Sequence, residues 1–379
     1  MSPPPLRPKR HGKQTLGIPL QRPHHYRQVG GGVGIGYTGK IVRKIAWILL
    51  IAVVGGAGWF AWALLMPVAP NGQTFVLLRP GYSTRRIAAQ LQSAGVIRSK
   101  AAFILWHYYN HRGRSLQAGE YLFDKPANLV DVQKRLRRGD VYFHTVVIPE
   151  GFTLFDVARA IEAAGLGPAD DFLKVAKSDT GLIADLDPGA QSLEGYLFPD
   201  TYEFSRMMSM QEMAAAMVRQ FRQVGTQVGL IPQTNGVTPD PTRDLHATVT
   251  MASIIEKETS VPEERPLVAS VYYNRLNKHI ALDADPSIIY AELLAGTYQG
   301  ALHHADVQFK SPYNTYHNAG LPPGPIANPG RSALEAAMHP ADSDFYYFVA
   351  DAQGHHRFAR TMEEHDKNVL AYRKAMKGH

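Results

Sequence analysis

Two carboxylates and a lysine stand together in Ile254-Ile255-Glu256-Lys257-Glu258-Thr259, closing a run that is otherwise apolar or small. The pattern reads as a helix running from Leu245. At about 100° per residue, Leu245, Val249, Ala252 and Glu256 share one face, and Glu258 points away from it. A carboxylate on the apolar stripe of a helix is costly to ionise, so its pKa should rise. A raised pKa suits a general acid. On this reading Glu256 is the candidate acid, with Glu258 orienting or supporting it. The competing reading is structural: a partly buried glutamate held by a neighbouring arginine.

Other chemistries find less support. The chain has 16 His, but His303-His304 and His355-His356 are adjacent pairs and no His-Glu-x-x-His spacing occurs, so no metal site is expected. There is no Gly-x-Ser-x-Gly elbow. Cysteine is absent, which removes disulfides, thiolate ligands and a thiol nucleophile. Gly34 to Lys40 has P-loop spacing but lacks the Ser or Thr that would hold magnesium, and no strand precedes it. No cofactor is expected.

The elements that must position a site are spread over 379 residues, enough for two domains with real cores. The net charge of +7 is misleading, because nine of the 40 Lys and Arg precede Ile45, where there is no acid. Beyond Met66 the chain carries 31 basic against 33 acidic residues, so the pI gives no argument for nucleic acid. Ile45 to Met66 is 22 residues without a charge, and about 20 suffice to span a bilayer. Trp47, Trp59 and Trp62 suit membrane interfaces, and Arg43 and Lys44 abut the near end. The positive-inside rule then puts residues 1–44, a basic tail of disordered composition, in the cytoplasm and everything after Pro67 outside. The apolar run is too long and too late for a cleaved signal peptide, so an uncleaved anchor over residues 45–66 is expected.

Past the anchor, Phe75-Val76-Leu77-Leu78 reads as a strand and Arg79 to Tyr82 as a turn. Ser83 can cap a helix with Ile87, Ala88, Leu91 and Ala94 inside, ended by Gly95. Seventy residues on, the pattern recurs in Val146 to Ile148, Pro149 to Phe152, the cap Thr153, then Val157, Ala158, Ile161 and Gly165. A strand (Gly119 to Phe123) and a helix (Leu129 to Leu136) lie between. Strand, turn and capped helix repeated this way resembles the LysM-like modules that bind N-acetylglucosamine-containing glycans; a purely structural role is the alternative.

Leu193 to Phe204 sets Tyr196, Phe198 and Tyr202 beside Glu194, Asp200 and Glu203, the combination that grips sugars, although aromatic turns also pack cores. Met213, Met217 and Phe221 form a core stripe. A second helix, with Val268, Val271, Tyr272 and Leu276, carries Asn274 and Arg275. Asp285-Pro286-Ser287 reads as a cap and first-turn proline of a further helix. Ser311 to Tyr316 and the Pro/Gly-rich Gly320 to Gly330 form a rigid loop suited to walling an extended polymer. A hairpin around Gln353-Gly354 and a last helix, boxed by Thr361 and Glu364, complete the chain.

Four of these stretches in order, Leu193 to Tyr202, Ile255 to Thr259, Ser311 to Tyr316 and Gly320 to Ile326, closely resemble the endolytic murein transglycosylases of the YceG-like (MltG) family. The resemblance implies an α+β protein with a single-pass membrane helix, a LysM-like module over residues 67–147 and a mixed α+β catalytic domain over 148–379. It implies an inner-membrane enzyme facing the periplasm that cuts nascent peptidoglycan strands internally, leaves a 1,6-anhydro end and needs no cofactor. The partners implied are peptidoglycan glycan strands and the inner membrane, with peptidoglycan synthases as candidates. The family's catalytic glutamate maps to Glu256, with Glu194, Tyr313, Asn314 and Tyr316 as substrate-binding candidates and Glu258, Asp200 and Asp285 in support. Asp283 departs from the family pattern, which has Gln there, and the basic tail is longer than the family needs. A non-catalytic, membrane-anchored peptidoglycan-binding scaffold is the alternative.

Overall fold

The computed structural model describes residues 35–110, 115–232 and 244–377. The chain divides into two compact units, Met1–Ala61 and Trp62–His379. The first consists, where described, of most of helix α1 (Ile35–Leu65). Gly39–Leu65 is long and apolar enough to cross a membrane; at about 1.5 Å per residue it is longer than the ~30 Å bilayer core. The helix begins ahead of the apolar run. The basic tail, expected to be irregular through Lys44, is therefore helical from Ile35, since nothing between Gly39 and Ile45 stops a helix already nucleated. The rest of that tail and Gly34 of the P-loop-like spacing lie outside the described residues.

The second unit contains one arrangement twice. β1 (Thr74–Leu78), α2 (Thr84–Ser93), α3 (Lys100–Tyr109) and β2 (Gly119–Phe123) form a βααβ unit in which β1 and β2 pair antiparallel, Thr74 opposite Phe123. α4 (Leu129–Arg138) follows. β3 (His144–Val147), α5 (Leu154–Ala163), α6 (Ala169–Ser178) and β4 (Thr201–Phe204) repeat the plan, His144 opposite Phe204. The repeat seen in the sequence is real in detail. Ser83 and Thr153 both cap their helices, and Ala94 and Ala164 share φ −76°, ψ −1°. Gly95 and Gly165 both take φ +70°. α3 and α6 are not among the elements expected from the sequence. The second βααβ unit starts at His144, so a division at residue 147 would cut it at the end of β3. Its apolar residues, Val146 to Phe204, belong to the large core shared with the C-terminal helices. Buried Glu120 joins the two repeats, meeting His144 at 2.7 Å and Arg206 at 3.0 Å.

The remaining helices are α7 (Met210–Gln227), α8 (Leu245–Glu258), α9 (Arg265–Asn277), α10 (Asp285–Ala295) and α11 (Arg331–Met338). The hairpin β5 (Tyr347–Ala350) and β6 (His356–Ala359) and helix α12 (Met362–Lys377) close the chain. α8 is the spine. Asp244 caps its start, and every residue from Thr248 to Ile255 is buried, so it is enclosed all round rather than on one stripe. The proline-rich loop lies along it: Ile326 N–H donates to Ser253 Oγ at 3.0 Å. Gly195 meets the same loop, where a Cβ would lie 2.5 Å from Pro325.

Candidate active site

The end of α8 presents its two glutamates to different surroundings. Glu256 is held. Its Oε1 accepts from Arg265 at 2.7 Å and its Oε2 from the Gly330 N–H at 2.9 Å. Both side chains of the ion pair are only 5% exposed. Glu150, from the turn of the second repeat, lies 3.6 Å from the same arginine. A Cβ at Gly330 would meet the Glu150 carboxylate, which would have to swing aside. Lys257 donates to Gly151 O at 3.1 Å. Burial raises the Glu256 pKa against the opposing pull of the Gly330 N–H and Arg265. Glu256 is thus a buried carboxylate paired with arginine, its proton affinity still raised.

Glu258 instead opens on a cleft of about 520 Å³, walled by Tyr272 and Arg275 of α9, Asp283 and Asp285 at the start of α10, Tyr316, the β5–β6 hairpin and α12. The Tyr272 hydroxyl donates to Glu258 Oε1 at 2.7 Å, which fixes the carboxyl plane. Burial pushes the Glu258 pKa up to about 7; the Tyr272 hydrogen bond opposes this and the Asp285 charge adds to it. A carboxyl group that is half protonated near neutrality and faces a cleft can give and take a proton there. Glu258 leaves the helix away from the stripe that carries Glu256, and what it meets there is the cleft.

The cleft is electrostatically built. Arg275 donates to Asp283 Oδ2 at 2.7 Å and to Leu282 O at 3.0 Å. Asp283 sits at φ +51°, a left-handed conformation that Asp tolerates better than most residues. Its departure from the family pattern thus lies in the cleft wall, neutralised by Arg275. Asp285 is not the helix cap expected from Asp-Pro-Ser. Ala284 occupies the cap position without a side-chain bond, and the Asp285 carboxylate accepts from the Tyr316 hydroxyl at 2.6 Å.

Of the residues singled out in the sequence, Glu258, Asp285 and Tyr316 meet in this cleft. The others lie elsewhere in the fold, Glu194 and Tyr313 lining a smaller recess together. Glu194 is buried, accepting from Leu154 N–H at 3.0 Å and from Asn328 Nδ2 at 2.9 Å, and burial pushes its pKa to about 8. Asn314 is fully buried and donates to the carbonyls of Val307 and Phe309. Tyr313 packs on Tyr290, ring centres 5.1 Å apart. Asp200 is exposed and accepts from Gln220 at 2.7 Å. The sequence reading gave no role to Tyr272, Arg275, Tyr347, His356 or His365. Tyr272 and Arg275 carried a signal, spaced i, i+3 on one helix face; the hairpin residues carried none.

Comparison with known proteins agrees with the resemblance in the motifs. A model of the YceG-like family matches residues 76–371. An endolytic murein transglycosylase of Bacillus subtilis (strain 168) is 34% identical over 338 residues, spanning 84% of this chain and 91% of that protein. One of Streptococcus pneumoniae (strain D39) is 30% identical over 367 residues, spanning 86% of this chain and 64% of that longer protein. A 2.6 Å crystal structure of a YceG-like protein from Listeria monocytogenes is 32% identical with a TM-score of 0.50, covering 78% of this chain and 98% of that one. With a match over most of its length in sequence and in structure, this chain belongs to the YceG-like family.

Proposed function

We propose that this protein is an endolytic murein transglycosylase, anchored in the plasma membrane by α1, whose acid and base is Glu258. The observation that carries the assignment is the raised pKa of Glu258 in a cleft of glycan size, beside a Glu256 already committed to Arg265. Protonated Glu258 donates to the glycosidic oxygen between N-acetylmuramic acid and N-acetylglucosamine, and the C1–O bond breaks. The 6-hydroxyl of the same muramic acid closes on C1, and its proton returns to the Glu258 carboxylate. The product ends in a 1,6-anhydro ring, and Glu258 is regenerated. No water is consumed, which sets this apart from the two-carboxylate hydrolases. The Asp285 carboxylate, held by Tyr316, supplies negative potential for the positive charge that develops at C1.

The first βααβ unit we read as the LysM-like module, a glycan-docking unit beside the catalytic part, on the strength of its antiparallel first and last strands around two helices. The second copy has been absorbed into the core, where its turn carries Glu150 and Gly151 to the end of α8. The cytoplasmic tail and extracytoplasmic cleft follow from the charge asymmetry about α1.

The test is product analysis on purified peptidoglycan with wild type, Glu258→Gln and Glu256→Gln. Anhydro-muropeptides should vanish for Glu258→Gln and persist, reduced, for Glu256→Gln. Loss in Glu256→Gln alone would return the acid to that residue. No product from wild type would favour a scaffold, and reducing ends would mark a hydrolase.

A further inference from the structure

The wall of the cleft formed by the β5–β6 hairpin carries an organised histidine that the mechanism above does not use. His356 opens β6 and lines the cleft together with Glu258. Its Nδ1 lies 2.7 Å from Glu264 Oε2, and its backbone N–H donates to Glu264 Oε1 at 3.1 Å. His355 Nδ1 reaches the same oxygen at 3.0 Å. Glu264 comes from the turn between α8 and α9, so it ties the hairpin to the helices that carry Glu258 and Tyr272. The two side chains of the pair are 11% and 13% exposed, and Phe348 meets the imidazole edge-on with centres 5.3 Å apart. The ring is therefore locked in position and plane.

The protonation pattern follows. Burial alone would raise the Glu264 pKa, but hydrogen bonds from the His356 ring and backbone and from His355 outweigh it and hold the group below its ordinary value. An ionised carboxylate only accepts, so Nδ1 must carry the proton. In the neutral ring that leaves Nε2 as an acceptor, and it has no protein partner among the described residues. Carboxylate–imidazole pairs of this kind fix the tautomer and aim the far nitrogen.

We propose that His356 is a substrate-contacting residue of the cleft, its Nε2 accepting a hydrogen bond from a hydroxyl of the bound glycan, with Glu264 as the positioning residue that sets its tautomer and plane. This rests on the reading of the cleft as the glycan site. Two substitutions separate the nitrogens, because a Gln amide reaches the place of Nε2 and an Asn amide that of Nδ1. The full chain in detergent, with purified peptidoglycan as substrate, should form anhydro-muropeptides faster for His356→Gln, which keeps a polar atom at the place of Nε2 but loses the Glu264 bond, than for His356→Asn. For His356→Asn, kcat/KM should fall about tenfold, the worth of one lost hydrogen bond near 1.4 kcal/mol, while the melting temperature stays near that of wild type. Glu264→Ala should fall with His356→Asn, and Glu264→Gln, which still accepts from Nδ1, should recover much of the rate. Full activity in His356→Asn would overturn the proposal. So would parallel losses of rate and melting temperature in both His356 variants, which would make the residue a fastener only. Glu258→Gln run alongside tells the two readings apart: if it keeps activity the cleft reading fails, whereas if it is inactive and the His356 variants are unaffected only this inference fails.

Discussion

Replacing Glu258 by Gln should do opposite things to activity and to stability, and the stability effect can be given a sign and a size. A Glu whose pKa rises from 4.5 to about 7 on folding binds more protons in the folded than in the unfolded state between those values. Wild-type stability attributable to this group is therefore full below about pH 4.5, declines up to about pH 7, and then levels off. At about 1.4 kcal/mol per unit, the shift corresponds to up to about 3 kcal/mol lost by neutral pH. Gln keeps the shape and can accept from Tyr272 but cannot ionise, so Glu258→Gln should be near wild type at pH 4.5 and more stable by up to about 3 kcal/mol at pH 8. Glu194, also raised, titrates equally in both proteins and cancels in the difference. The measurement is urea unfolding of both proteins across pH 4.5–8, alongside product formation. Inactivity together with a gap that opens between pH 4.5 and 7 is the expected pair. Parallel stability curves would refute the reasoning, since they would mean that the cleft solvates Glu258 and that its acidity is ordinary.

Arg265→Ala leaves Glu256 buried without its partner, so it should cost about 3–5 kcal/mol in denaturant unfolding, far more than the same change at an exposed arginine. Tyr272→Phe removes the hydrogen bond that opposes the rise in the Glu258 pKa, so the basic limb of the kcat/KM profile should move to higher pH, not lower. Asn328→Ala strips a donor from Glu194 and an acceptor from Leu197 N–H; denaturation should show a loss of about 1–3 kcal/mol for each buried group left unpaired. Tyr313→Phe, away from the cleft, should change kcat/KM by less than about threefold, the range of a weak contact, whereas Tyr316→Phe should lower it more by releasing Asp285.

Much of the architecture was legible in the order of residues. The offset between Gly81, Ser83, Gly95 and Gly151, Thr153, Gly165 is local chemistry: left-handed positions need glycine, and helix starts need a hydroxyl that accepts an orphan N–H. The hairpin and its turn were written the same way, and so was half of the last capping box. Thr361 accepts from Glu364 N–H as expected, but the Glu364 carboxylate turns to Arg360 N–H. The apolar span needed only length and the absence of charge.

What sequence by itself determined, then, was most of the elements, the family and the short segment that carries both candidate carboxylates. Which of two glutamates two residues apart faces the cleft was decided only by tertiary structure. The helical period says which way a side chain leaves its own helix, and nothing about what waits there. Arg265 arrives from the next helix and Gly330 from a distant loop to claim Glu256, while Tyr272 and Asp285 leave Glu258 at the cleft. Proton affinity depends on those neighbours through burial and charge. They are set by contacts between residues far apart in the chain, which no local pattern records.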